Sequence, residues 1–242
     1  MKYFIKKIVR RAGFDIRRLS AASNPLFQVL LGLRKFKIDM LIDVGANVGQ
    51  FALELRSVGY TGRIVSFEPL NSAHAKLSHA AARIPNWEVH RRCALGDFDG
   101  EIRINIAGNS VSSSILPMLE SHSSAAEGSS YISSETVPIV KLDTVAPEYL
   151  SKGDRVFIKI DTQGFEWQVL DGASATLKHV QGLMCELSLV PLYAGEHLWM
   201  ELINRLKSEG FTLWAIQPGF KDLQDGRTLQ IDAIFFRTDS VN

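Results

Sequence analysis

One stretch constrains this chain more than any other: Ile42 to Phe51, IDVGANVGQF, followed about twenty residues later by SFEP, Ser66 to Pro69. The apolar run Met40-Leu41-Ile42 stops at Asp43 and opens into a glycine-punctuated turn, and a second apolar run, Ile64-Val65, leads to Glu68. A strand, a tight loop, a helix and a second strand with an acid at its tip form the unit that holds an adenosine-containing ligand over a parallel sheet.

The loop residues narrow the ligand. A dinucleotide fingerprint needs glycine at its first, third and sixth positions, but Gly45 is followed by Asn47 and Gln50 at the third and sixth, so the spacing is GxNxG through Gly49. Pyrophosphate favours bare backbone amides at a helix N-terminus; here Asn47 adds a side chain and Asp43 a carboxylate just before the loop. A carboxylate at that point suits a cationic amino-acid head group. S-adenosylmethionine has such a head group, a ribose diol for Glu68 and no phosphate.

The motifs IDVGANVGQFA, SFEP, CALGDFDGE, VKLDT, FIKIDTQGFEWQVLDGA, CELSLVPLY and a terminal GF…D…FF follow in that order. In content and order they resemble the FkbM-type methyltransferases, a branch of the class I enzymes that use S-adenosylmethionine, from about Ile38 to Arg237. The resemblance implies a Rossmann-like, doubly wound seven-stranded sheet, mostly parallel and closed by an antiparallel hairpin. It also implies an O-methyltransferase whose acceptor is a hydroxyl of a sugar, a glycan or a secondary metabolite.

Composition fits one soluble α/β domain in a cytoplasmic setting. The chain has 242 residues, 46% hydrophobic and 22% charged, enough for one large core. Its two cysteines, Cys93 and Cys185, lie in apolar runs and read as buried, reduced thiols. No zinc-binding spacing occurs.

Charge is uneven. Seven basic residues against Asp15 give the first twenty residues +6, leaving −5 for the remainder. On a helical wheel Phe4, Ile5, Ile8, Val9 and Ala12 share one arc, so residues 1–19 read as a basic amphipathic helix able to touch an anionic membrane or to pack on the enzyme. Residues 1–37 are expected as a basic and helical extension and 38–242 as the methyltransferase domain. Nucleic acid is not expected as a partner, since the body lacks a basic stripe with interleaved aromatics.

Apolar runs predict strands at Ile64 to Phe67, Trp87 to Cys93, Val156 to Ile160 and Gly182 to Leu187 with helices between them, and Glu101 to Ile106 and Thr136 to Val140 alternate like half-exposed strands. Asn24-Pro25 reads as a helix start, and Asp143 as the cap of a short helix running to Leu150. Phe211 to Ile216 and Gln230 to Phe236 read as the closing antiparallel pair. From Gly108 to Ser134 the pattern lapses into eleven serines and two glycines among twenty-seven residues, an insertion that is either a lid over the acceptor or a surface loop.

Methyl transfer to a hydroxyl needs a near-attack geometry and a proton acceptor. Strand ends beside the cofactor offer Asp161 first, Glu186 second and Glu166 third. The resemblance supports Asp161, and also Ala94, Leu95 and Asp97 around an adenine ring. His122, in the insertion, is the one histidine to test as a base. Asp161 and Glu186 would suit a divalent metal, but Gln163 stands where the family generally shows an acid before Gly164, and this disfavours one. The same departure leaves a second reading open: a protein that binds S-adenosylmethionine without catalysis and works in a membrane-associated assembly.

Overall fold

The computed structural model describes residues 7, 9–11, 13, 14 and 20–237. The membrane-contact expectation for residues 1–19 falls largely outside them. No helix among the described residues is long and apolar enough to cross a membrane.

Among the described residues ten strands form two sheets. The large sheet contains β1 (Met40–Val44), β2 (Arg63–Phe67), β3 (Trp87–Val89), β7 (Val156–Ile160), β8 (Val180–Ser188), β9 (Thr212–Pro218) and β10 (Gln230–Phe236), in the order β3-β2-β1-β7-β8-β10-β9. Strands β3, β2, β1, β7 and β8 run parallel, and β10 lies antiparallel between β8 and β9. This is the seven-stranded, mostly parallel sheet with an antiparallel close that the sequence led us to expect.

Both faces of the sheet are covered, which is why its central strands are buried along their whole length. Because side chains alternate between faces, Met40, Ile42 and Val44 join one apolar cluster and Leu41 the other. The first cluster packs against α6 (Glu166–Asp171) and α7 (Trp199–Ser208), and the second against α1 (Pro25–Lys35), α2 (Gln50–Ser57) and α3 (Asn71–Ala81). Asn24 caps α1 as expected, its side-chain oxygen accepting from Phe27 N–H at 2.8 Å. Phe36, just after α1, stacks on Phe236 of β10 at 3.9 Å, so residues 25–37 share the core of the domain that follows.

Two expectations are corrected. The third strand ends at Val89, and Ala94–Leu95 becomes β4 of a separate three-stranded sheet with β5 (Gly100–Ala107) and β6 (Tyr131–Val140). A long β5–β6 hairpin needs a further strand and an apolar face to be stable; β4 supplies the strand by pairing parallel with β6. Asp143 does not cap its own helix. It lies in the first turn of α5 (Leu142–Val145) and accepts from the N–H groups of Ala175 at 2.8 Å and Thr176 at 2.7 Å, tying two connections together.

The serine-rich segment is packed down onto the body. Between β5 and β6 it forms a short helix, α4 (Glu120–Ser123), and buries Ser112, Ser114, His122 and Ser129. Isolated bridges join Asn105 to Ser114 and Met118 to Tyr193.

Candidate active site

The sheet reverses its winding at β1 and β7, and in open α/β folds ligands bind beyond the strand ends at such a point. A cleft partly open to solvent lies there, its void of about 680 Å³ counted together with the open solvent at its mouth. Its walls are Val44, Gly45, Asn47 and Gln50 from the first loop, Phe67 to Leu70 after β2, Cys93 to Leu95, Ile104 of β5, Ser110, Val111, Ser113 and Ile115 of the serine-rich segment, and Asp161 to Gln163 with Phe165 after β7. The insertion therefore forms one wall. Asn47 Nδ2 donates to Ser110 Oγ at 3.1 Å, fastening it to the first loop.

Gly45 is required by packing. Its φ is +75°, and a Cβ there would stand 1.9 Å from the carbonyl oxygen of Asp161, so the loops after β1 and β7 close on each other only through a residue without a side chain. Gly164, with φ +95°, packs on Tyr193: a Cβ there would meet that ring at 3.1 Å.

Glu68 reaches the cavity. Its two oxygens accept from Asn47 N–H and Leu70 N–H, each at 2.8 Å, and each keeps a further lone pair. Burial raises its pKa to about 7 despite these bonds.

Asp43, by contrast, is fully buried and lies off the cavity wall. In register it faces Ser66 on β2 and Lys159 on β7; Ser66 Oγ donates to Oδ2 at 3.4 Å, and Lys159 Nζ lies 3.5 Å from Oδ1. The same ammonium donates to the carbonyl of Gly45 at 3.3 Å and pairs with Asp161 Oδ2 at 3.2 Å. Burial works against the charge on Lys159, but Asp161 and Asp43 outweigh it and hold its pKa above the ordinary lysine value. Lys159 thus ties the floor of the site to both loops. The signal for it was a lysine inside the otherwise apolar strand VFIKI, since lysine is almost never buried without a partner.

Of the three candidate acids, only Asp161 lines the cavity. Lys159 holds its Oδ2, and Gln163 Nε2 donates to its Oδ1 at 2.9 Å. Glu186 sits behind Gln163, whose Nε2 donates to Glu186 Oε2 at 2.6 Å, with Gln230 Nε2 donating to the same oxygen at 2.9 Å. Burial, then the nearby Asp161 and Asp232, push Glu186 well above the usual carboxylate range. Glu166 is buried and clamps the loop before it, accepting from Thr162 N–H at 2.9 Å and Gly164 N–H at 3.2 Å.

Ala94 and Leu95 lie on the apolar wall, but Asp97 is exposed and off it. Once β4 joins the small sheet, the chain after it turns into β5 and takes Asp97 away from the cavity. His122 is also off the wall. Its ring packs between Tyr193 and Phe220, 5.1 Å from each, so it is not placed as a base. Tyr193, which nothing in its local sequence marks out, is buried and donates through its hydroxyl to Gln163 Oε1 at 2.8 Å.

A family model described as the methyltransferase FkbM domain matches residues 43–213. No curated protein matches the chain. Among solved structures, it is similar to the magnesium protoporphyrin IX methyltransferase of Synechocystis PCC 6803 with bound SAM, at 10% identity and a TM-score of 0.48, covering 98% of this chain and 97% of that one. It is also similar to an rRNA methylase from Streptococcus thermophilus, at 12% identity and a TM-score of 0.45, covering 89% of this chain and 97% of that one.

Proposed function

This chain belongs to the FkbM methyltransferase family and so is an S-adenosylmethionine-dependent methyltransferase; from that premise we propose that it methylates a hydroxyl of a sugar, a glycan or a secondary metabolite. The observation that carries this reading is Asp161, a carboxylate in the cavity wall with each oxygen held by one donor.

The cavity suits the cofactor. Glu68 presents two acceptor oxygens to a ribose diol, and Cys93, Ala94, Leu95 and Phe67 offer an apolar wall to a purine. The loop from Gly45 through Asn47 to Gly49 borders the amino-acid end. Asp43 acts on that end through Lys159, which spans its carboxylate and the Gly45 carbonyl. When bound, S-adenosylmethionine supplies an electrophilic methyl carbon on a sulfonium.

Asp161 then orients the acceptor hydroxyl and takes its proton as the oxygen attacks. Each Asp161 oxygen retains a lone pair for that hydroxyl. The serine-rich segment closes one side of the cavity and excludes water. Among the described residues no lysine or arginine lines the wall, which favours an uncharged polyol over a phosphate-bearing acceptor.

The test uses the full chain with labelled cofactor and fractionated cell extract to identify the acceptor. Asp161→Asn is expected to bind S-adenosylmethionine as the parent does in calorimetry while slowing transfer about 10²- to 10⁴-fold. Full transfer activity in that variant would reject the assignment.

A further inference from the structure

We propose that Gln163 is a positioning residue whose side-chain amide takes the place of a shared cation between Asp161 and Glu186. One nitrogen donates to both acids, at 2.9 Å to Asp161 Oδ1 and 2.6 Å to Glu186 Oε2. An amide nitrogen carries two hydrogens, one for each carboxyl group. The Tyr193 hydroxyl, 2.8 Å from Gln163 Oε1, fixes which way the amide faces, because the reversed amide would turn its oxygen toward two carboxyl groups.

The backbone supports the same conclusion. Gln163 has φ +55°, a left-handed conformation unfavourable for a residue with a long side chain. It is held there by Ser114 Oγ, which donates to its carbonyl at 2.6 Å, and by the side-chain bonds just described. Gln230 and Asp232 of β10 complete the surroundings: Gln230 donates to Glu186, and Asp232 faces Glu186 in register. A carboxylate at position 163 would be a fourth acid beside Asp161, Glu186 and Asp232, a crowding that is tolerable only with a proton or a hard cation among them. The amide bridges the two acids by hydrogen bonds where such a cation would sit, so the spacing of Asp161 from Glu186 in this enzyme does not depend on a metal.

The inference rests on the reading of Asp161 as the acceptor-side group, and cation binding separates the two because it requires neither acceptor nor turnover. Mn²⁺ alone is titrated into the wild-type chain and into Gln163→Glu by calorimetry, with S-adenosylmethionine titrated in parallel. The variant is expected to bind one Mn²⁺ with a Kd on the order of 10⁻⁴ M, and the wild type at least about tenfold more weakly. Comparable Mn²⁺ affinity in the two proteins, or none in a folded variant, overturns the proposal. Should Gln163→Glu not fold, Gln163→Ala opens the same space between the acids. Mn²⁺ should then raise the melting temperature of Gln163→Ala and leave that of the wild type unchanged; equal shifts overturn the proposal. Loss of S-adenosylmethionine binding in the wild type would instead count against the proposed function.

Discussion

Asp43 and Lys159 are partners in register on adjacent parallel strands, with the ammonium 3.5 Å from a carboxylate oxygen that has no other partner among the described residues. The pair is buried on the α1, α2 and α3 side of the sheet, directly beneath the loops that form the cavity. An isolated charge there would be costly; Lys159 keeps Asp161 as a second partner, whereas Asp43 has Lys159 as its one ion-pair partner among the described residues.

Replacing Lys159 with Met should therefore leave Asp43 uncompensated and destabilise the fold by roughly 3–5 kcal/mol, read as a lowered midpoint in urea. Adding Asp43→Asn to that variant should restore a large part of the loss. A single variant with an unchanged midpoint would show that the pair contributes nothing.

Glu68 makes cofactor binding depend on pH. Burial raises this carboxyl to about 7 in the free protein, and its ionised form is the better acceptor for ribose hydroxyls. Affinity for S-adenosylmethionine should rise between about pH 6 and about pH 8 and level off above. Glu68→Gln should weaken binding by roughly 1.5–3 kcal/mol at the upper end and flatten the profile. Calorimetry across that range checks both, and an affinity that tightens on acidification would refute the role of Glu68.

Much of this was readable beforehand, for definable reasons. Continuous apolar runs interrupted by glycine turns mark parallel strands buried on both faces, so β1, β2, β7 and the closing pair stand out. Glu68 and Asp161 could be placed because an acid at the tip of such a strand faces the ligand crevice. Asp43 looks the same in sequence, yet by register it lies two residues short of the level of Glu68 and Asp161, inside β1 rather than beyond its end, and so sits within the sheet beside Lys159. Nothing local in the chain distinguishes those outcomes. The fate of Ala94–Leu95 depends on pairing with Ile139–Val140, more than forty residues away, and with it went Asp97. Tyr193 was visible in CELSLVPLY, but its contact with Gln163 spans thirty positions.

Glu166 should give stability a negative slope with pH. Burial lifts its pKa from 4.5 to about 7 in the folded chain, so across that window the folded state holds a proton that the unfolded state has released. Stability then falls as pH rises through the window and the loss is complete above about 7. Glu166→Gln keeps an acceptor oxygen for Thr162 and Gly164 and removes the titration. Its gain over the wild type should grow from near zero at pH 4.5 to at most about 3 kcal/mol at pH 8, measured by denaturation at both values. A wild-type curve that runs parallel to the variant's would exclude this assignment.

His122 should act with the opposite sign. Both of its ring nitrogens are buried without a hydrogen-bond partner among the described residues, and burial lowers its pKa from 6.5 to about 4. Between these values the unfolded chain takes up a proton that the folded chain refuses, so stability contributed by this site is lost as pH falls. His122→Phe keeps a ring between Tyr193 and Phe220 while removing the unpaired nitrogens, and it should stabilise the chain by about 1–3 kcal/mol. The gain should be larger at pH 5 than at pH 7.5, the reverse of the Glu166→Gln pattern, which lets thermal melts at the two values separate the two sites. Because His122 anchors the serine-rich segment to Tyr193, the variant should also make that segment slower to cleave by protease. Faster cleavage with unchanged melting would mean that the imidazole, rather than the ring stack, holds the segment down.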